Sequence, residues 1–425
     1  VRPDVVTFGT TIQACAQAGR GDRALELFTE MRAAGVVPNM EAYKGCILAC
    51  EKGRRWEQAL RLLDEMKRGG TVPDLVTYNS AIACCAKLRL WRRAVGILDE
   101  MRHQRVQPDR YSYNSAINAC AKARQGKQAM AVLARMRDDG HSPDVVTYSS
   151  LIQTFADDRD PDPRRAIATL QEASDLGMRL DAHCFNGAIN ACAKAGEWAL
   201  AEGLMGDMRV RGVMPDQYSY NGLINAYAKC GCWSKALTML ETMREARVPA
   251  NVMTYSAAIH ACEKALRWEQ ALSLLDRMEQ DSLKPNIFSY NFAMNACAKA
   301  NQQRRAFEVL ERMLAAGIAM DAVTYGIAMF THSRAAEWAP CLKLLAEMKQ
   351  RGVPRDWYSY HSTLVALAKS QEYRGALALF EEMKADGVRP DVSCFNTVMR
   401  VCQNGAMWEK ALSCLSEMPD FGIRP

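Results

Sequence analysis

Histidine is scarce in this chain: 425 residues contain six, at unrelated spacings. No His-x-Glu is accompanied by Cys-x-x-Cys, and no nucleophile recurs beside a base, so the residues of zinc-dependent deamination and of triad hydrolysis are not assembled in this sequence. No apolar run is long enough to cross a bilayer as a helix. A strong excess of one charge is missing as well. With 54 basic and 48 acidic residues, the net charge of +6 does not by itself mark a polyanion ligand, and the placement of the charges has to decide.

What the chain does have is a stretch that it repeats. Leu75 to Asp109 reads LVTYNSAIACCAKLRLWRRAVGILDEMRHQRVQPD, and shifting the sequence by 35 residues brings its landmarks back. Tyr78-Asn79 returns at Tyr113-Asn114, Tyr220-Asn221 and Tyr290-Asn291, and tryptophan returns at Trp56, Trp91, Trp198, Trp233, Trp268, Trp338 and Trp408. Eleven copies and most of a twelfth fit, beginning at Val5, Met40, Leu75, Arg110, Val145, Ala182, Gln217, Val252, Ile287, Ala322, Trp357 and Val392. Residues 1–4 match the tail of a preceding repeat, so the expectation is a continuous array over 5–425, taken from a longer protein.

Sixteen cysteines lose their resemblance to a disulfide or metal framework once placed in the repeat. Cys15, Cys50, Cys85, Cys120, Cys192, Cys262, Cys297 and Cys402 share the eleventh position, where a small apolar side chain packs inside a helix pair. Neither Cys230-Gly231-Cys232 nor Cys46 with Cys50 has zinc-site spacing and a matching second pair, so no metal and no cofactor is expected. Reduced thiols in this number suit a reducing compartment.

Apolar residues at helical spacing run from Thr77 to Lys87 and again from Trp91 to Arg102, which predicts two antiparallel helices per repeat and an all-α solenoid. The Thr or Ser at the third position, or the Asp or Asn just before the repeat, can cap the first helix. Gly35, Gly140, Gly212, Gly317, Gly352 and Gly387 stand where the second helix should end. On the first helix the aromatic fourth, aliphatic seventh and cysteine eleventh positions share the buried face. The second, fifth, ninth and thirteenth lie opposite, along one exposed groove.

That groove is chemically sorted. Its thirteenth position carries Lys52, Lys87, Lys122, Lys194, Lys229, Lys264, Lys299, Arg334 and Lys369, a cationic track able to follow phosphates. The fifth position is mostly Asn or Ser, and the last is Asp or Asn in every complete repeat. Amides offer a donor and an acceptor, as a base edge does, although the terminal Asp or Asn is also explained as a helix cap. Val76, Tyr111, Val146, Tyr218 and Phe288 at the second position can clamp a base between repeats, or can simply pack. A groove of this kind also suits a peptide, so a helical protein-interaction scaffold is the alternative; the register of Lys and Asn argues for nucleic acid.

The pattern V-T-Y-N-S-x-I-x-A-C-A-K, then W-x-x-A-L-x-L-x-x-E-M, then G-V-x-P-D resembles the pentatricopeptide repeat over essentially the whole chain. The resemblance implies a right-handed superhelix that binds single-stranded RNA in an organelle, chloroplast or mitochondrion, in RNA processing, stabilisation, editing or translation, with no catalytic activity of its own and processing proteins as further partners. It also implies that the fifth and last residues select the base. Carried over, Asn79 with Asp109, Asn114 with Asp144, Asn186 with Asp216 and Asn291 with Asp321 are uracil readers. Ser149 with Asp181 implies guanine, Ser256 with Asn286 adenine, and Asn221 with Asn251 cytosine, giving UUGUCAU from repeat three to repeat nine. Repeats one, two, ten and eleven depart from the family's pairs, and the twelfth lacks its last residue. The fifth also departs, having Asp157 in the lysine position and an acidic insertion around Asp160-Pro161-Asp162-Pro163, read as a longer turn.

Overall fold

The computed structural model describes residues 3–157 and 161–423. Among them every regular element is helical. The first helices begin at Val5, Met40, Leu75, Arg110, Val145, Ala182, Gln217, Val252, Ile287, Ala322, Trp357 and Val392, the residues where the repeats begin. The chain forms two compact bodies, one up to Ala226 and one from Tyr227 onward. Within each, a first helix packs on its own second helix and on the first helix of the next repeat.

Local chemistry sets the helix ends. Asp74, for example, is extended at φ −82° and ψ 173° and accepts the Thr77 amide, which starts the helix Leu75–Lys87. The residue before the repeat is therefore the cap, and the third-position hydroxyl assists it. In repeats four and eight the two reciprocate, Ser112 with Asp109 and Thr254 with Asn251 each forming a capping box. Second helices end where the glycines foretold: Gly35 and Gly140 adopt φ of +74° and +79°. A second left-handed residue, not anticipated, lies at the fifteenth position between the two helices. Gly19, Gly196 and Gly231 take it in some repeats and Arg54, Arg89 and Arg124 in others.

The core follows the expected face with one correction. Fourth-position aromatics such as Tyr78, Tyr113 and Phe185 are buried, as are the eleventh-position cysteines except the half-buried Cys15. The large aliphatic residue of the period is the eighth, however: Ile12, Ile47, Ile82, Ile117, Ile152, Ile189, Ile224 and Ile259 are fully buried, while the seventh is a buried alanine in half of the repeats, Ala81 and Ala116 among them. The eighth side chain fixes how near the next first helix can come. A Cβ on Gly222 would lie 2.8 Å from Ile189 Cγ2, and one on Gly187 2.9 Å from Ile152 Cγ2, so these positions need glycine for the approach. Burial pushes the thiols up, Cys120 and Cys262 to about 11 and Cys192 to about 12, which keeps them protonated and unreactive.

Each buried tyrosine ring leaves its hydroxyl to be satisfied, and the second helix supplies acceptors. Tyr78 Oη donates to Glu100 at 3.0 Å and Tyr43 Oη to Glu65 at 3.2 Å. The same carboxylates pair with cations of neighbouring second helices, Glu65 with Arg32 and Glu100 with Lys67. Much of the chain's acid is thereby used on the second-helix layer, away from the groove.

Candidate nucleic-acid interface

The fifth and last residues of a repeat, thirty apart in sequence, meet. Asn79 Nδ2 donates to Asp109 Oδ1 at 3.2 Å, Asn114 to Asp144 at 3.1 Å, Asn186 to Asp216 at 3.0 Å and Asn291 to Asp321 at 3.4 Å. The other end of the asparagine is held by the following repeat. Ser112 Oγ donates to Asn79 Oδ1, Ser219 Oγ to Asn186 Oδ1 and Thr324 Oγ1 to Asn291 Oδ1, at 2.5, 2.6 and 2.8 Å, and Thr147 does the same for Asn114. Each hydroxyl has a single proton and also lies near the capping carboxylate, so one hydrogen serves two acceptors. This fixes the rotamer of the asparagine before any ligand arrives. It also leaves one Nδ2 hydrogen of Asn79 and Asn114 and the second oxygen of Asp109 without an internal hydrogen bond, while the second oxygen of Asp144 stands 4.0 Å from the Arg110 guanidinium.

The carboxylates of Asp109 and Asp144 are held ionised. Burial works to raise Asp109 and Asp144, but the amide and hydroxyl of Ser112 and Thr147, with the asparagine amides, outweigh it and keep both below the usual carboxylate range. Where the fifth residue is serine the tie persists in shorter form: Ser256 Oγ and Ser289 Oγ are 2.7 Å apart, and Asn286 caps Ser289. In repeat five Asp181 caps Cys184, a thiol standing where most repeats have a hydroxyl.

The departing repeats are closed in ways that the sequence did not disclose. Lys44 Nζ pairs with Asp74 at 2.9 Å, filling the reader position of repeat two with an internal ion pair. At Gly326 an added Cβ would meet Tyr358 Cδ1 at 2.9 Å, so the ring of the next repeat covers the place of a fifth side chain. Asp162 caps the helix Pro163–Asp175, in keeping with a turn. The Asp157 side chain and Asp160 lie outside the described residues.

All the thirteenth-position cations but one form the last residue of their helices, from Lys52 of Met40–Lys52 to Lys369 of Trp357–Lys369, and Lys194 stands one residue before the end of Ala182–Ala195. A cation is favoured at a helix C-terminus by the backbone dipole, so register alone has a structural cause as well as a functional one. Lys52 and Lys369 also donate to carbonyls of the preceding repeat, Ala16 at 3.4 Å and Ser333 at 2.9 Å. Lys299 is drawn to Glu263, whose side chain is only 4% exposed. Lys87, Lys229 and Lys264 are exposed, Lys122 and Lys194 half-buried, and Arg334 bonds to Asn301.

Packing accounts for Tyr358 over Gly326 but not for most of the second position. Val76, Tyr111, Val146, Tyr218 and Phe288 are between 46% and 75% exposed, and Met253 joins them. Beside Ser149 the groove deepens into a cavity of about 250 Å³ lined by Asn118, Lys122, Gln153 and His183. A larger cavity of about 620 Å³ is lined by Phe28, Arg32, Trp56 and Glu65 on the second-helix side and holds none of the reader residues. No group of three or more metal-ligating side chains and no helix long and apolar enough to cross a membrane occurs among the described residues.

Comparison with known proteins agrees with the repeat. Models described as pentatricopeptide repeat domain match 61–123 and 96–158, PPR repeat family 3–52, PPR repeat 41–71, pentatricopeptide repeat-containing protein 184–313, and the pentacotripeptide-repeat region of PRORP 250–420. No curated protein matches the chain. Among solved structures, the pentatricopeptide repeat protein PPR10 from maize is similar with a TM-score of 0.61 and 22% identity, over 100% of this chain and 70% of that one, which establishes the fold. PPR10 in complex with an 18-nt psaJ RNA element is similar at 0.46 and 20%, over 100% and 81%. Yeast Rmd9p in complex with a 16-nt target RNA is similar at 0.39 and 14%, over 94% and 82%. With consecutive helix pairs at the repeat period and family models matching from residue 3 to residue 420, this chain belongs to the pentatricopeptide repeat family.

Proposed function

We propose that this chain binds single-stranded RNA in the groove of its first helices, one base per repeat, and acts by occupancy rather than catalysis. The observation that supports this reading is the Asn–Asp pair held by the following repeat, an oriented donor and acceptor recurring along one face. Uracil offers an N3–H donor beside a carbonyl acceptor, complementary to the second aspartate oxygen and the remaining asparagine hydrogen of Asn79 with Asp109; for Asn114 with Asp144 the base competes with the Arg110 guanidinium, 4.0 Å from that oxygen. Serine at Ser149 and Ser256 leaves room for the larger purines. The proposed core is UUGUCAU, read 5′ to 3′ from repeat three to repeat nine, with Val76, Tyr111, Val146, Tyr218 and Phe288 stacking on bases and the lysine track following phosphates.

Covering such a segment blocks exonucleases, prevents a hairpin or positions a processing protein. Family membership supports an organellar site of action and a continuous binding array from residue 5 onward. The test is selection from a randomised single-stranded RNA pool at moderate salt, followed by sequencing. Enrichment of a core near UUGUCAU is expected. No retention at any salt overturns the reading in favour of a protein-binding scaffold.

A further inference from the structure

The fifteenth position bears on the phosphate track. In the second body Arg334 Nε and Nη2 donate to Asn301 Oδ1 at 3.3 Å, and a Cβ on Gly231 would lie 3.5 Å from Lys264 Cβ. The fifteenth residue of one repeat thus abuts the thirteenth of the next. In repeats two to four the fifteenth residue is arginine each time, so the same register puts Arg54 next to Lys87 and Arg89 next to Lys122, with the Arg54 guanidinium resting 5.8 Å from the centre of the Trp56 ring. The charges feel each other: the Lys122 ammonium is lowered from its ordinary value by burial first and then by Lys87 and Arg89. Repeat five ends the series with Asp157 in the lysine position.

Two costs are visible. Like charges stand side by side, and among the described residues Arg54, Lys87, Arg89 and Lys122 have no acidic partner, although nearby Asp22 and Asp64 are taken by Arg55 and Arg93. The backbone is strained too, since Arg54, Arg89 and Arg124 sit at φ of 60°, 58° and 58° where repeats one, six and seven use glycine. The repulsion is relieved by an anion that spans the row, whereas the left-handed backbone is shared by Leu266, Asn301 and Ala336 in later repeats.

We propose that Arg54, Arg89 and Arg124 interleave with Lys52, Lys87 and Lys122 as a phosphate rail that grips the sugar–phosphate backbone of RNA on repeats two to four, adding one contact per repeat to the lysine track. The proposal rests on the RNA reading above and goes beyond it: the grip is concentrated at the N-terminal end and is indifferent to base.

The test uses the whole chain and the triple variant Arg54→Gly, Arg89→Gly, Arg124→Gly, with a single-stranded RNA carrying UUGUCAU and two further nucleotides on its 5′ side. Glycine suits the left-handed backbone, so the thermal midpoint should not fall. The slope of log affinity against log salt should become shallower by about 2, at roughly 0.7 per contact on a single strand, which makes the affinity change between 50 and 200 mM salt about 16-fold smaller. The control is Arg105→Gly with Arg247→Gly, which removes arginines from left-handed positions at the other turn, φ 56° and 55°. It should leave the slope unchanged. An unaltered slope in the triple variant, or an equal loss per charge in the control, overturns the rail. Failure of the unaltered chain to bind any single-stranded RNA overturns the RNA reading itself and is seen separately.

Discussion

Asn114 Nδ2 donates to Asp144 Oδ1 at 3.1 Å, tying the start of repeat four to its end. Asn114→Ser removes that donor and shortens the side chain, yet Thr147 retains its cap to Asp144. Preference at this base should move from a pyrimidine toward a purine, with a stability loss of no more than about 1 kcal/mol. Binding to four RNAs differing at that one base decides the matter; an unchanged order of affinities rejects the assignment.

Asp109 is a cap and, in the proposed function, a reader, and two substitutions separate the roles. Asp109→Asn keeps the cap, as Asn39, Asn251 and Asn286 do in their own repeats. Its thermal midpoint should match the parent while base preference moves from uracil toward cytosine. Asp109→Ala should lose about 1 kcal/mol of stability together with selectivity. If the asparagine variant still prefers uracil, the last position is a cap only.

The capping carboxylates give stability a defined pH profile. Burial opposes ionisation of Asp74, Asp109 and Asp144, but hydrogen bonds to Thr77, Ser112 and Thr147 overcome it, so all three folded values lie below the unfolded one. Their contribution is therefore complete above roughly pH 4, the unfolded value, and is lost as pH falls through the lower folded values. Melting midpoints should be level between pH 7 and pH 5 and drop by pH 3. A level profile down to pH 2 contradicts the cap energetics.

Glu263 occupies a position where most repeats have alanine, including Ala86, Ala121 and Ala298. It accepts from Asn295 Nδ2 at 2.9 Å and draws Lys299 inward. Glu263→Ala should release that lysine to a phosphate, raising RNA affinity at low salt and steepening the salt slope by about 0.7. Weaker binding with an unaltered fold would show that Lys299 lies off the RNA path.

Much of this was legible because the repeat presents each element many times. Helix starts from Val5 to Val392 could be placed by register alone, and the buried face by the spacing of Tyr78 and Cys85. The rest was tertiary. Thr147 and Asn114 are 33 residues apart, and no local pattern announces that one hydroxyl anchors the next reader back. Left-handed turns occupied by Arg54, Leu266 or Ala336 carry no glycine to mark them. Lysines at helix ends read as a ligand track because sequence spacing cannot distinguish a backbone dipole from a phosphate as the reason for a charge. The seventh and eighth positions lie 100° apart yet are both buried, because a first helix packs on its own second helix and on the next first helix, so the spacing alone does not say which of the two carries the larger side chain.

If Asp109 and its counterparts read bases as proposed, their capping role limits how such a protein can change its target. A last-position residue that cannot accept the amide of the helix it precedes costs about 1 kcal/mol at the start of the next repeat, so candidates for a new specificity are weighed by folding before they meet any RNA. The alphabet open to mutation is then the short list of side chains that can begin a helix, and a retargeted array has to draw its vocabulary from it.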